Sequence, residues 1–342
     1  MSIRTWLLYL IGNRQAILEL AADRRALWVG ALFVLSAGLA RDYDGEDLVH
    51  DPWHLLLPYA ASLLTSLLLF GITWVPGVLK AAPGPSLPTA FRSFLGLFWL
   101  TAPLAWLYGI PYERWLTPLE ATQANLITLG IVAAWRVYLM IRVVSVLMGF
   151  RAWQACFLVL FLADAEALLA LWFVPRPIIP IMGGIRMTES EFLVARVGDT
   201  VQAIALLTLL LWIIGAIVAT ASSKPAWQAP MDEPKQSGKG LIVMALGALT
   251  FWLALLPFTQ PEQFLRRRVE NALKEGRIAE ALAEMSAHQR SDFPPHWDPP
   301  PRSGYGETTP SVGAVMAEIR KAPPAPWVAE VFEEKIRQKT RP

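Results

Sequence analysis

From residue 53 to residue 258 the chain is largely a succession of apolar runs, several of them long enough to cross a bilayer. A membrane-crossing helix needs about 20 mostly apolar residues. The clearest runs are "WHLLLPYAASLLTSLLLFGITWV" (53–75), "FRSFLGLFWLTAPLAWLYGI" (91–110), 125–149, "WQACFLVLFLADAEALLALWFV" (153–174) and "VQAIALLTLLLWIIGAIVATAS" (201–222). Two shorter runs, 26–40 and 241–258, complete a set of seven. Arg25 and Arg41 flank the first short run and can extend its reach by snorkelling to the headgroups. Trp53 and Trp74 bracket one run, and Trp153 and Trp172 another, as indoles do at the two interfaces.

Composition agrees. Of 342 residues, 54% are hydrophobic and 17% charged, against roughly 45–50% and 25% in soluble domains. The fold class expected is all-α: a multi-pass transmembrane bundle of seven spans with a small C-terminal helical tail. Residues 1–25 form an interfacial amphipathic segment, 26–258 the transmembrane domain, and 259–342 the soluble tail. A formal net charge of +2 gives no footprint for nucleic acid. The lone Cys156 excludes an internal disulfide and a thiolate metal cluster. "WLLYLI" followed by "GNRQ" is too short for a signal peptide, so the first span is expected to act as its own insertion signal.

Short cytoplasmic loops carry the excess of Lys and Arg. With the N-terminus inside, Arg4, Arg14, Arg24, Arg25, Lys80, Arg92, Arg151, Lys224, Lys235 and Lys239 are cytoplasmic. Arg41, Arg114, Arg176, Arg186 and Arg196 are then outside, with the tail. This orientation suits a bacterial cytoplasmic membrane. Within the first 25 residues, "TWLLYLI" and "AILEL" read as an interfacial helix on the inner leaflet. "VPRPIIPIMGG" is too rich in Pro and Gly for a helix, and Thr188 and Glu191 have capping-box spacing for a short outer helix before the sixth span.

Four charges interrupt consecutive runs: Arg136 and Arg142 in one, Asp164 and Glu166 in the next. A charge at the bilayer centre costs at least about 2.5–3.5 kcal/mol, so such groups pair or face water. In a hairpin turning near Arg151, Arg136 and Glu166 lie at the same depth. Pairing of Arg136 with Glu166 or Asp164 is expected. The two arginines are about 120° apart around their helix and the two acids about 160°, so one face cannot hold all four. A third helix must contribute, through Gln123, Gln202 or Asp199, or a polar cavity must.

The loop "RDYDGEDLVHDPWH" gathers Asp42, Asp44, Glu46, Asp47, His50, Asp51 and His54, but lacks the closing Glu of a calcium loop. The tail holds His288, Asp292 and His296 in "HQRSDFPPHWD". These histidines and Asp292 are the candidate metal ligands, since imidazole and carboxylate are ordinary zinc donors. No cofactor fingerprint is present, and no cofactor is expected.

From Pro261 the composition becomes soluble. Leu265, Val269 and Leu273, then Ile278, Leu282 and Met285, predict a helix, a glycine turn and a second helix. "NALKEGRIAEAL" (271–282) resembles the turn of a tetratricopeptide repeat, a family of partner-binding helical hairpins. It has no tandem copy. A Pro-rich crossing follows, then two short helices, near Ser311–Lys321 and Trp327–Gln338.

The chain therefore reads as a membrane protein whose partners are the bilayer and a protein met through the tail, a non-enzymatic scaffold or assembly component. A small-solute or ion transporter built on Arg136, Arg142, Asp164 and Glu166 is the alternative, and a metal-dependent membrane enzyme the third reading.

Overall fold

The computed structural model describes residues 1–82, 84–173, 188–230, 238–301 and 310–340. The expected "VPRPIIPIMGG" crossing lies outside them. The described residues form helices and turns with no strand. The helices are α1 (Ile3–Leu10), α2 (Arg14–Ala22), α3 (Arg25–Asp42), α4 (Leu57–Leu79), α5 (Leu87–Trp99), α6 (Pro118–Leu147), α7 (Ala152–Phe173), α8 (Glu189–Ser222), α9 (Gly240–Lys274), α10 (Ile278–Ser286), α11 (Val312–Lys321) and α12 (Pro326–Thr340).

Among the described residues, six segments are long and apolar enough to cross a membrane: Pro52–Leu79, Leu87–Arg114, α6, α7, α8 and α9. The seventh expected span, α3, is 18 residues long, includes Arg25, Arg41 and Asp42, and is not one of the six. It is largely buried among its neighbours, with Val29, Phe33, Ala37 and Ala40 in the core. Gly30 lets α5 close on it: a Cβ there would lie 2.7 Å from Trp99 Cβ.

Two sets of contacts fix the ends of the bundle. At the first end, the Met1 amine donates to Gly238 O at 2.8 Å, Lys80 Nζ reaches Thr220 O at 2.8 Å, and Ala226 N donates to Met148 O at 3.0 Å. At the second end, Gln260 Nε2 donates to Tyr43 O at 2.9 Å, and Arg114 pairs with Glu262. From α3 to α9 the segments alternate between these ends, leaving the N-terminus and the tail at opposite ends.

Three elements differ from expectation. The first 25 residues form two helices, because Gly12 at φ 75° turns the chain in a Schellman motif: Gly12 N donates to Tyr9 O at 2.7 Å and Asn13 N to Leu8 O at 3.0 Å. Asn13 Oδ1 then caps α2 by accepting from Ala16 N at 3.1 Å. The hairpin packs into the bundle through Trp6, Tyr9, Ile17 and Leu20. The 91–110 run is not one helix either: α5 stops at Trp99, and a 3-10 stretch continues over Ala102–Gly109. Pro103 has no N–H for Trp99 O and disfavours helix at Ala102. Thirdly, Thr188 and Glu191 do form the predicted capping box, but the helix they open runs unbroken for 34 residues to Ser222.

The tail boundary placed at residue 258 falls inside α9, a 35-residue helix that carries the chain from the membrane bundle into the tail. The predicted hairpin follows, α9 and α10 joined through Gly276 at φ 75°. Val269, Leu273, Leu282, Met285, Phe293 and Phe332 belong to a core separate from that of the bundle.

At Gly12 a Cβ would face both a left-handed backbone and Tyr138 Oη at 2.7 Å. Gly12→Ala should lower the unfolding free energy in mixed micelles by about 1–3 kcal/mol. Gly45→Ala, where a Cβ would meet nothing within 4 Å, should leave it unchanged.

Candidate functional site

The break after α5 and the tip of the α1–α2 hairpin both expose carbonyls, and each set finds donors on a neighbour. Thr101 N turns to Phe98 O at 3.2 Å and Leu104 N to Thr101 O at 3.1 Å, which frees Leu97 O and Leu100 O. Tyr9 Oη donates to the first at 2.7 Å, and Trp6 Nε1 to the second at 3.0 Å. The hairpin's own terminal carbonyls accept from α6: Leu10 O from Trp135 Nε1 at 2.8 Å, Ile11 O from Tyr138 Oη at 3.1 Å, and Gly12 O from Arg142 Nε at 3.1 Å. Arg142 thereby places positive charge at the C-terminal end of α1, the favourable sign for its dipole.

The expected charge network is therefore dispersed. Arg142 serves the hairpin. Asp164 accepts from Thr208 Oγ1 on α8 at 2.6 Å, and Glu166 lies beside Thr65 of α4. The Arg136 guanidinium lies over the Phe98 ring, 5.3 Å from its centroid, with Tyr9, Tyr108 and Glu166 within electrostatic range. Among the described residues no carboxylate forms an ion pair with Arg136. The helix that meets Asp164 is α8, through Thr208.

Arg136 instead lines the inner reach of a cleft of about 1920 Å³ at the second end of the bundle. Residues Thr122, Leu126, Leu129, Ala133 and Arg136 line it from a single stripe of α6, about 21 Å long at 1.5 Å per residue. Facing walls come from Tyr108 and Arg114, the start of α8, and Trp297 and Trp327 of the tail. Most charges in these walls are committed: Arg114 to Glu262, Arg266 to Glu46 at 3.5 Å, Lys335 to Asp298 at 2.5 Å, and Glu113 to Asn125 at 2.6 Å.

The candidate metal ligands are dispersed too. His50 Nδ1 bonds Asp47 at 2.9 Å and its ring stacks on Phe264 at 4.5 Å, while His54 lies against Trp53 at 4.0 Å. His288 is 3.7 Å from Asp292, and His296 Nε2 meets Leu116 O at 2.9 Å. No group of three or more His, Cys, Asp or Glu among the described residues is placed to hold a metal ion. The acidic loop faces arginines: Arg267 reaches Asp47 at 3.3 Å and Asp51 at 2.8 Å. Burial pushes the Asp47 carboxyl up, but hydrogen bonds from His50 and Arg267 outweigh it and leave it below the ordinary range.

Asp44, on the cleft wall, goes the other way. Burial first, then the charge of Glu113, raises its carboxyl to about 6 despite Arg114. In the sequence Asp44 stands out only as part of the acidic loop, and neither Tyr108 nor the α6 stripe is singled out, although Thr122, Leu126, Leu129, Ala133 and Arg136 recur at helical spacing. Against protein-family models, curated proteins and solved structures, the chain matches none.

With a pKa near 6 in the folded protein against 3.8 ordinarily, ionised Asp44 costs stability. The cost is absent below pH 4 and complete above pH 6, since the folded state binds the proton more tightly. Asp44→Asn should therefore raise the melting temperature at pH 8 and leave it unchanged at pH 4. An equal shift at both values would show that the effect is not one of charge.

Proposed function

We propose that this is a solute-binding membrane protein of the transport class, which takes a small molecule from the tail end into the cleft above Arg136. One observation carries the reading. A cleft of about 1920 Å³ leads from the tail to an intramembrane arginine without a carboxylate partner among the described residues. Ionisable residues at such depth either pair or line substrate paths and wet cavities. This favours solute binding over the scaffold reading, which gives a cleft at that depth no task. The bias of Lys and Arg toward the first end supports a cytoplasmic N-terminus and a tail outside a bacterial cytoplasmic membrane.

Water in the cleft is the testable core of this reading. Ala133 lines the cleft, whereas Ala134 is exposed elsewhere on α6. In a Cys156→Ser background, Ala133→Cys should react with an anionic, membrane-impermeant methanethiosulfonate, because the thiolate forms only in water. Ala134→Cys should react far more slowly. Labelling of Ala133→Cys in intact cells supports the orientation, and labelling only after purification would invert it. If neither cysteine reacts in purified protein, the cleft is dry and the solute-binding reading fails.

A further inference from the structure

We infer that the inner end of the cleft is an oxyanion site, in which Arg136 and Tyr108 take the carboxylate of a single-chain amphiphile whose hydrocarbon lies along Leu126, Leu129 and Ala133. The inference rests on the solute-binding reading above and names its ligand class.

Among the described residues, two donors at the inner end have no protein acceptor. Arg136 offers its guanidinium face to Phe98, and this cation–π contact leaves the planar edge, with its N–H donors, available. Arg142, two turns further along the same helix, is engaged with Gly12 O, so the vacancy is particular to Arg136. Tyr108, half-buried in the 3-10 stretch after α5, has no hydrogen-bond partner for its hydroxyl among the described residues. Partly buried tyrosines ordinarily find one. Both residues line the cleft, and the charges of Arg136 and of Arg41 nearer the mouth act on the Tyr108 oxygen. An oxyanion set between Arg136 and Tyr108 would accept from both.

The charge count selects the ligand. Arg136 and Arg41 act on the Tyr108 oxygen and Glu166 acts on Arg136, a surplus of one positive charge that balances a single negative charge, whereas a dianion at this depth would carry an uncompensated charge. Arginine and carboxylate also match in geometry as a bidentate pair. Toward the mouth, Ala133, Leu129 and Leu126 extend the site with apolar surface for about 10 Å along α6. A small hydrophilic anion would leave that surface facing water. A monoanionic phospholipid of the surrounding bilayer presents related chemistry from a different source.

The test uses the full chain purified in a neutral detergent, with laurate, dodecanol, acetate and phosphatidylglycerol as probes and native mass spectrometry with thermal melting as readouts. Laurate should bind saturably and raise the melting temperature, and dodecanol and acetate should not. Loss of one hydrogen bond to a charged group should weaken laurate binding about tenfold or more in Tyr108→Phe and in Arg136→Gln. Tyr108→Phe removes a hydroxyl with no protein partner among the described residues and should leave the unliganded melting temperature unchanged. Phosphatidylglycerol that displaces laurate, and depends on the same two residues, would place the source in the bilayer and uphold the oxyanion site. Laurate binding indifferent to both substitutions, or acetate competing on equal terms, would overturn the site. Absence of laurate binding in a protein whose Ala133→Cys thiol reacts would overturn it too, while the solute-binding reading stands.

Discussion

Backbone carbonyls without an intrahelical partner are the constraint on which this bundle turns. Each unmet buried group costs about 1–3 kcal/mol in a protein interior, and lipid offers no water to meet it. The chain has two such places side by side: the break at Pro103 and the hairpin turn at Gly12. Tyr9 and Trp6 of the hairpin supply the break, and Trp135, Tyr138 and Arg142 of α6 supply the hairpin. The relay ties α1, α5 and α6 into one unit. It also gives Arg142 a structural task in place of an ion pair.

That unit shapes the site. Because α5 stops at Trp99, the following stretch is free to carry Tyr108 beside the stripe of α6 that ends at Arg136. Phe98, the second-to-last residue of α5, supplies the ring under that guanidinium. At the mouth, α9 continues past the bundle and brings Arg266 and Arg267 against the acidic loop. Glu46, Asp47 and Asp51 of that loop are thus met by arginines of the chain itself, and the tail lines the cleft.

Much of the fold was legible because long apolar runs leave a membrane chain little choice but helices. The capping box at Thr188, the glycine turn at Gly276 and the tail helices were readable from local chemistry alone. Boundaries that depend on tertiary partners were not. Pro103 signalled a break, but a run of apolar residues on both sides masked it, and only the donors on α1 make the break tolerable. The continuity of α9 past Pro257 and Pro261 went against the shift in composition there. At the site, the four intramembrane charges were visible, and the argument that one hairpin face could not hold them all was sound. Equal depth does not by itself supply a shared face: Asp164 turns to Thr208, while Arg136 and Glu166 stay within electrostatic range without an ion pair among the described residues. Backbone carbonyls as acceptors for Arg142 had no signature in the sequence beyond Trp135, Tyr138 and Arg142 sharing one side of α6.

The most direct measurement of this account is a double-mutant cycle on Arg142 and Asp164, read as unfolding free energy in mixed micelles. If Arg142 serves the hairpin, Arg142→Leu leaves Gly12 O without its donor and should cost about 1–3 kcal/mol whether or not Asp164 is present. The two substitutions should then add to within about 0.5 kcal/mol. A cost for Arg142→Leu that disappears in the Asp164→Leu background would make the two residues partners, and would contradict the capping relay.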